Sequence, residues 1–126
     1  MIRIPDPGRF ELRLMDGSAN PYLLQASILA AGLDGINNKI NPGNPLHCNM
    51  YEDFSKYPDL PKLPDELDQS LSQLKDNKSM NDAFGSDVIS SYVKLRNTEI
   101  KEFKSKESFD KAKAVTKWEK DNTLDC

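Results

Sequence analysis

Apolar and polar residues alternate strictly over residues 9–14, Arg-Phe-Glu-Leu-Arg-Leu, the period of two that marks a half-buried strand. Phe10, Leu12 and Leu14 fall on one face of that strand, and Arg9, Glu11 and Arg13 on the other. Pro5 and Pro7-Gly8 bound it in front, and Asp16-Gly17-Ser18 supplies the turn behind. Asn20-Pro21 then opens a helix. Asparagine is a good N-cap, and proline at the first helical position lacks only an N–H that has no partner there. The pattern carries this helix through Leu33 to Asn37 or Asn38, apolar nearly all round, which predicts burial on several sides. Gly32 and Gly35 allow a close backbone approach. Asn41-Pro42-Gly43-Asn44-Pro45 ends the helix.

Residues 41–64 read as a long irregular stretch with five prolines, Pro42, Pro45, Pro58, Pro61 and Pro64. Loops of that length usually cover something or belong to a larger assembly. Beyond it the chain is polar and helical. Pro64-Asp65-Glu66 starts a helix with Leu67, Leu71 and Leu74 at i, i+4 and i+7, and residues 79–84 add a short turn. Ser86 caps the next helix, with Val88, Tyr92, Leu95 and Phe103 on one stripe. Ser105 or Ser108 caps a last one carrying Phe109, Ala112, Val115 and Trp118. The expected class is α+β: one or two strands of a curved antiparallel sheet, then mainly helices.

Composition narrows the function. The chain has 126 residues, about one domain's worth, with 37% apolar residues and 6 glycines. That is somewhat below the ~45–50% of ordinary soluble domains, so the core is expected to be thin. Seventeen basic against 20 acidic residues give a net charge of −3, which argues against nucleic acid as a partner chosen by bulk charge. No apolar run reaches the ~18 residues of a membrane helix, and Met1-Ile2-Arg3-Ile4-Pro5 is no signal peptide. A cytoplasmic chain is expected. Cys48 and Cys126 are too few for a disulfide framework. His47 is the only histidine, which argues against a self-contained zinc site or a Ser-His-Asp device.

The Arg9/Glu11/Arg13 face is where chemistry is expected. Alternate residues on one strand face lie about 6–7 Å apart. Two guanidinium groups flanking a carboxylate form a poor core face but a natural lining for a polar cleft. Arginine binds phosphates and carboxylates through paired hydrogen bonds, and a carboxylate between them suits a hard divalent cation. The plainer reading is a solvated, ion-paired strand face. A metal here would need further oxygen ligands from outside the segment.

The run Arg9-Phe-Glu-Leu-Arg-Leu-Met-Asp-Gly-Ser-Ala-Asn-Pro-Tyr-Leu23, continuing as Ala31-Gly-Leu-Asp-Gly-Ile-Asn-Asn-Lys-Ile40 and Asn41-Pro42-Gly43, resembles glutamine synthetase. The likeness covers residues 3–43 closely and falls in the C-terminal part of that family's catalytic domain. The closing Trp118-Glu-Lys-Asp-Asn-Thr-Leu-Asp-Cys126 looks like the branch labelled type III or type I-like, near the γ-glutamylmethylamide synthetases.

The resemblance implies roles. Glu11 falls on a glutamate that ligates the active-site Mg²⁺ or Mn²⁺ bridging the ATP phosphates. Arg13 falls on the arginine that binds the substrate glutamate and the transferred phosphate. Arg9 falls on a basic position facing the ATP phosphates, and Arg3, in Arg-Ile-Pro, on the nucleotide-phosphate arginine. The Arg-Ile-Pro motif stands closer to the glutamate here than in the better-known bacterial enzymes. The implied activity is ATP-dependent glutamate–ammonia ligation through γ-glutamyl phosphate. The alternatives are ligation of methylamine or a similar amine, or a non-catalytic fragment that only associates with synthetase subunits. Glutamate, ATP and ammonia or a small amine are the implied partners, in a homo-oligomeric, dodecamer-like ring.

The family's other metal ligands, its metal histidine, its glutamate-binding loop and its N-terminal domain would all precede residue 1. The expectation is therefore a C-terminal fragment, with residues 1–43 as active-site strand and core helix, 44–64 as loop and 65–126 as helical region. Alone, such a chain is expected to be poorly soluble. His47 is expected in a loop or packing role, and Trp118 in a core or subunit interface. Tyr51 sits near the tyrosine adenylylated in some bacterial relatives, within a differing loop.

Overall fold

The computed structural model describes residues 2–15, 17–106 and 115–123. Asp16 of the expected turn, Ser108, Phe109 and Ala112 of the expected last helix, and residues 124–126 lie outside the described residues. The architecture is α+β: a two-stranded antiparallel sheet followed by helices.

Pro7 and Gly8 form the turn that folds the first residues back on themselves. Gly8 adopts φ 81°, a left-handed conformation that glycine takes without steric cost. The turn joins β1 (Ile2–Asp6) to β2 (Arg9–Leu12). The sequence expectation placed Pro5 in front of the strand over 9–14; it lies inside a further strand, β1. The expected strand over 9–14 also ends early, at Leu12. Leu12 pairs with Ile2, and past that pair the ladder has no partner among the described residues.

Helix α1 (Pro21–Asn37) begins as its cap predicts. The Asn20 side chain accepts from the backbone N–H of Tyr22 and of Leu23, both at 3.0 Å. Its surroundings differ from the expectation. No residue of α1 is buried, and Tyr22, Leu29, Leu33 and Ile36 are exposed. The other described elements cover only one side of the helix, where Leu24, Ser27 and Ala30 are half-buried. The space that a Cβ would take at Gly32 or Gly35 is open, so no described segment uses their small size.

The loop over 41–64 is not wholly irregular. Helix α2 (Met50–Asp53) and a 3-10 turn (Phe54–Lys56) interrupt it, started by Asn49, whose side chain accepts from the Tyr51 N–H at 3.2 Å. Elements this short leave no periodic trace in a sequence.

Three helices make the packed part: α3 (Leu67–Asp76), α4 (Lys78–Phe84) and α5 (Ser86–Lys106). Gly85, at φ 85°, makes the sharp step between α4 and α5. Leu71 of α3 is 3% exposed and Ile89 of α5 is 5% exposed, and these are the buried apolar residues among those described. The expected stripe on α5 is shifted. Val88 and Leu95 face outward, while Ile89, Tyr92, Arg96, Ile100 and Phe103 turn inward. Arg96 holds this place by covering the Tyr92 ring at 5.3 Å and pairing with Glu99 at 2.6 Å. Lys104 ties α5 to α3 through Asp68 at 2.9 Å. Ser79 of α4 donates to the Asp34 carboxylate of α1 at 2.7 Å.

Ser105 lies within α5, so it caps nothing. The last described helix is the short α6 (Lys117–Asn122), capped by Thr116. Thr116 and Glu119 form a reciprocal capping box: the hydroxyl accepts from the Glu119 N–H, and the Glu119 carboxylate accepts from the Thr116 N–H. Trp118 meets Phe103 edge-on at 5.6 Å, a packing role as expected.

Candidate active site

Arg3, Arg9, Glu11 and Arg13 come together on one face of the hairpin. Glu11 Oε2 accepts from Arg3 Nη1 and from Arg13 Nη2, each at 3.2 Å, and Oε1 accepts from Arg9 Nη2 at 3.1 Å. Arg9 and Arg13 reach it as next-but-one neighbours along the chain, as the alternation predicts. Arg3 reaches it from the other strand, directly opposite Glu11.

That opposition depends on an irregular ladder. Asp6 pairs with Arg9, and the next pair is Arg3 with Glu11. Three steps along β1 therefore match two along β2, leaving one extra residue at Ile4-Pro5. A β-bulge of this kind changes which face the residues beyond it occupy. The strand β1 and its bulge were missed by the sequence reading. The signal was present as a proline inside a short apolar segment, since proline within sheets is confined to edges, first positions and bulges.

Three guanidinium groups around one carboxylate leave two positive charges in excess. The hydrogen bond from Arg3, the largest influence, pulls the Glu11 carboxyl below its ordinary value of 4.5; desolvation opposes it, and the positive charges of Arg3 and Arg13 and the Arg13 hydrogen bond add to the lowering. Glu11 is thus a carboxylate at neutral pH. The arginines are solvent-facing, with side chains between 49% and 62% exposed. Exposed ion pairs add little stability, so the cluster is better suited to binding than to holding the hairpin together.

The arrangement fits a Mg²⁺–phosphate site in its donor chemistry. Mg²⁺ takes hard oxygen ligands and is commonly held by one or two carboxylates together with phosphate oxygens and water. Glu11 offers one ionised carboxylate, and the arginines offer forked donors for phosphate oxygens. Among the described residues, no group of three or more His, Cys, Asp or Glu side chains could hold a metal by itself. Further ligands would come from phosphate, water or other protein segments.

The remaining candidates lie elsewhere. His47 is exposed in the loop before α2, in keeping with its expected loop role. Tyr51 is 90% exposed on α2. Cys48 is a free thiol, half-buried, near the Met50 sulfur at 3.4 Å. A small apolar crevice of about 230 Å³ lies between α1, Leu74, Phe84 and Ile89. A wider groove of about 810 Å³ runs between α3, α5 and α6, with Arg96, Phe103 and Trp118 in its wall. No described helix is long and apolar enough to cross a membrane.

Comparison with known proteins agrees with the hairpin and helix pattern. The family model for the glutamine synthetase catalytic domain matches residues 1–121. A glutamine synthetase of Rhizobium meliloti is 42% identical over 125 residues, covering 99% of this chain and 27% of the relative. A glutamate–methylamine ligase of Methyloversatilis universalis is 38% identical over 106 residues, covering 82% of this chain and 24% of the relative. Among solved structures, a GmaS/ADP complex superposes with a TM-score of 0.78 at 39% identity, covering all of this chain and 27% of that one. The chain thus spans about a quarter of the length of these relatives. With its fold and nearly its whole length matched, the chain belongs to the glutamine synthetase catalytic-domain family.

Proposed function

We propose that this chain supplies part of the active site of an ATP-dependent ligase that joins glutamate to ammonia through γ-glutamyl phosphate. The observation that carries the reading is the convergence of three arginines on the single ionised carboxylate of Glu11. In this reading Glu11 is a ligand of Mg²⁺ or Mn²⁺. When bound, that ion neutralises phosphate charge and orients the phosphates for transfer.

The chain's own residues then act by position and charge. Arg3 and Arg9 hold the ATP phosphates. Arg13 holds the glutamate side chain against the γ-phosphate and neutralises the charge that gathers on the transferred group. Attack by the glutamate γ-carboxylate on the γ-phosphate of ATP breaks its bond to ADP and forms the acyl phosphate; ammonia then attacks the acyl carbon, expelling phosphate and giving up a proton. Glutamate, ATP and ammonia are the substrates, in a cytoplasmic, homo-oligomeric ring.

A second acceptor is favoured by a specific finding. A glutamate–methylamine ligase is among the relatives, 38% identical over 106 residues, against 42% over 125 for the glutamine synthetase. A small amine in place of ammonia would leave the roles of Arg3, Arg9, Glu11 and Arg13 unchanged.

The test is phosphate release from ATP and glutamate by the chain co-expressed with the remaining segment of a family catalytic chain, with ammonium and methylamine run in parallel. Ammonium-dependent release supports the first reading, and methylamine-dependent release the second. A stable complex that releases no phosphate with either amine would mean that the chain only associates with synthetase subunits.

A further inference from the structure

We propose that Pro5 is a positioning residue: by holding one extra residue in β1, it brings Arg3 onto the face that carries Glu11. The inference rests on the reading of Glu11 and the arginines as a cation–phosphate site, and it adds a residue that touches neither.

The geometry is a matter of parity. Directly opposed residues in an antiparallel pair share a face, and successive residues alternate between faces. A regular ladder running back from the Asp6–Arg9 pair would set Ile4 opposite Glu11 and Arg3 opposite Leu12. Arg3 would then lie on the face opposite to Glu11, Arg9 and Arg13. The observed ladder sets Arg3 opposite Glu11, so the extra residue at Ile4-Pro5 decides which face Arg3 joins.

Proline is the residue in that step with a reason to hold the irregularity. It has no N–H to give a neighbouring strand, and its ring fixes φ near −65°, well short of the −140° of an antiparallel strand. It also confines Ile4 before it to extended backbone, so the step stays in β1 without melting the strand. Pro7-Gly8 fixes the turn independently, so the bulge adjusts β1 while leaving Arg9, Glu11 and Arg13 in place. Arg3 completes its approach with a 3.2 Å hydrogen bond to Glu11 Oε2.

Two measurements on the full 126-residue chain, tethered at low density to beads so that copies stay apart, test this. The first traps register with disulfides in a background in which Cys48 and Cys126 are serine. Paired cysteines at positions 3 and 11 are expected to cross-link readily, and those at 4 and 11 poorly. With Pro5→Val the preference should reverse. Deleting Ile4 from the Pro5→Val chain should restore it, because that removes the extra residue. An unchanged trapping preference in Pro5→Val overturns the proposal.

The second measures retention of radiolabelled pyrophosphate by the tethered chain. Arg3→Ala and Pro5→Val should each weaken retention by a similar factor, about three- to tenfold. The double variant should be no weaker than either alone, since residues that act through one another do not add. The Ile4 deletion should rescue Pro5→Val but not Arg3→Ala. Additive losses, or no rescue, overturn the positioning role while leaving the phosphate site standing. If Arg3→Ala leaves retention unchanged, the phosphate-site reading falls, and the positioning proposal with it.

Discussion

Glu11 is the residue on which the account depends. Its two oxygens accept from Arg3, Arg9 and Arg13, so every strong donor on the hairpin's charged face converges there. Glu11→Gln keeps the shape and removes the charge. In the assembled ligase, activity with either amine should fall at least about a hundredfold, as it does when a preorganised electrostatic group is lost. On the role proposed for Arg13, Arg13→Ala should also lower activity, through weaker hold on glutamate, in the same assay. The pH dependence has a defined sign. The Glu11 carboxyl sits below its ordinary value of 4.5 in the folded chain because Arg3 donates to it and the arginine charges surround it. The stability it lends is therefore full above 4.5 and is lost as the pH falls through its lowered value. A titration that follows the Glu11 carboxyl resonance should show a midpoint below 4.5 that moves up in Arg3→Ala. A midpoint at or above 4.5 in the unaltered chain would contradict the cluster. Three of the four charged residues were legible from strict alternation, because a period of two places side chains without reference to any other strand. Arg3 was legible only by resemblance. Its place beside Glu11 depends on a cross-strand register that no local pattern encodes.

At the scale of elements, the caps read more clearly than the faces. Asn20 announces α1 by its own side-chain chemistry, and Asn20→Ala should lower the stability of that helix by about 1 kcal/mol. Thr116 caps α6 in the same way, through contacts confined to the residues around it. Faces depend on what lies across them. On α5, the apolar Val88 and Leu95 turn outward while the charged Arg96 turns inward, held by the Tyr92 ring and Glu99. Hydrophobicity alone ranks those three the other way. The contact between α3 and α5 carries the packed part, and Leu71 on one and Ile89 on the other are the buried apolar residues among those described. Leu71→Ala or Ile89→Ala should each cost about 2–5 kcal/mol, read in the co-expressed complex as an earlier loss of helical circular dichroism in urea. Leu95→Ala, on the exposed face, should change the midpoint far less. Equal effects of Ile89→Ala and Leu95→Ala would mean that the packed face of α5 is not the one described.

At the scale of the whole molecule, the described core is small and the exposed apolar surface is large. Besides Leu71 and Ile89, the described apolar side chains remain at least partly open to solvent, among them Tyr22, Leu29, Leu33 and Ile36 along α1. Among the described residues the hairpin packs chiefly on itself, as a two-stranded sheet with no further strand on either edge. The sequence signalled a helix apolar all round, and the structure supplies cover for one side of it. The difference lies in what α1 packs against, which a sequence of this length cannot reveal. The isolated chain should therefore self-associate, eluting from size exclusion as mixed aggregates, and co-expression with the rest of a family catalytic chain should bring it into a defined complex. A monomeric, cooperatively melting chain would contradict this.

The most direct measurement of the central claim, that Glu11 and the arginines form a cation–phosphate site, is equilibrium dialysis of Mn²⁺ with ADP against the co-expressed complex, comparing the unaltered chain with Glu11→Gln. Glu11→Gln should weaken Mn²⁺ binding by about tenfold or more while metal-free ADP binds as before. Equal Mn²⁺ affinity in the two complexes would contradict it.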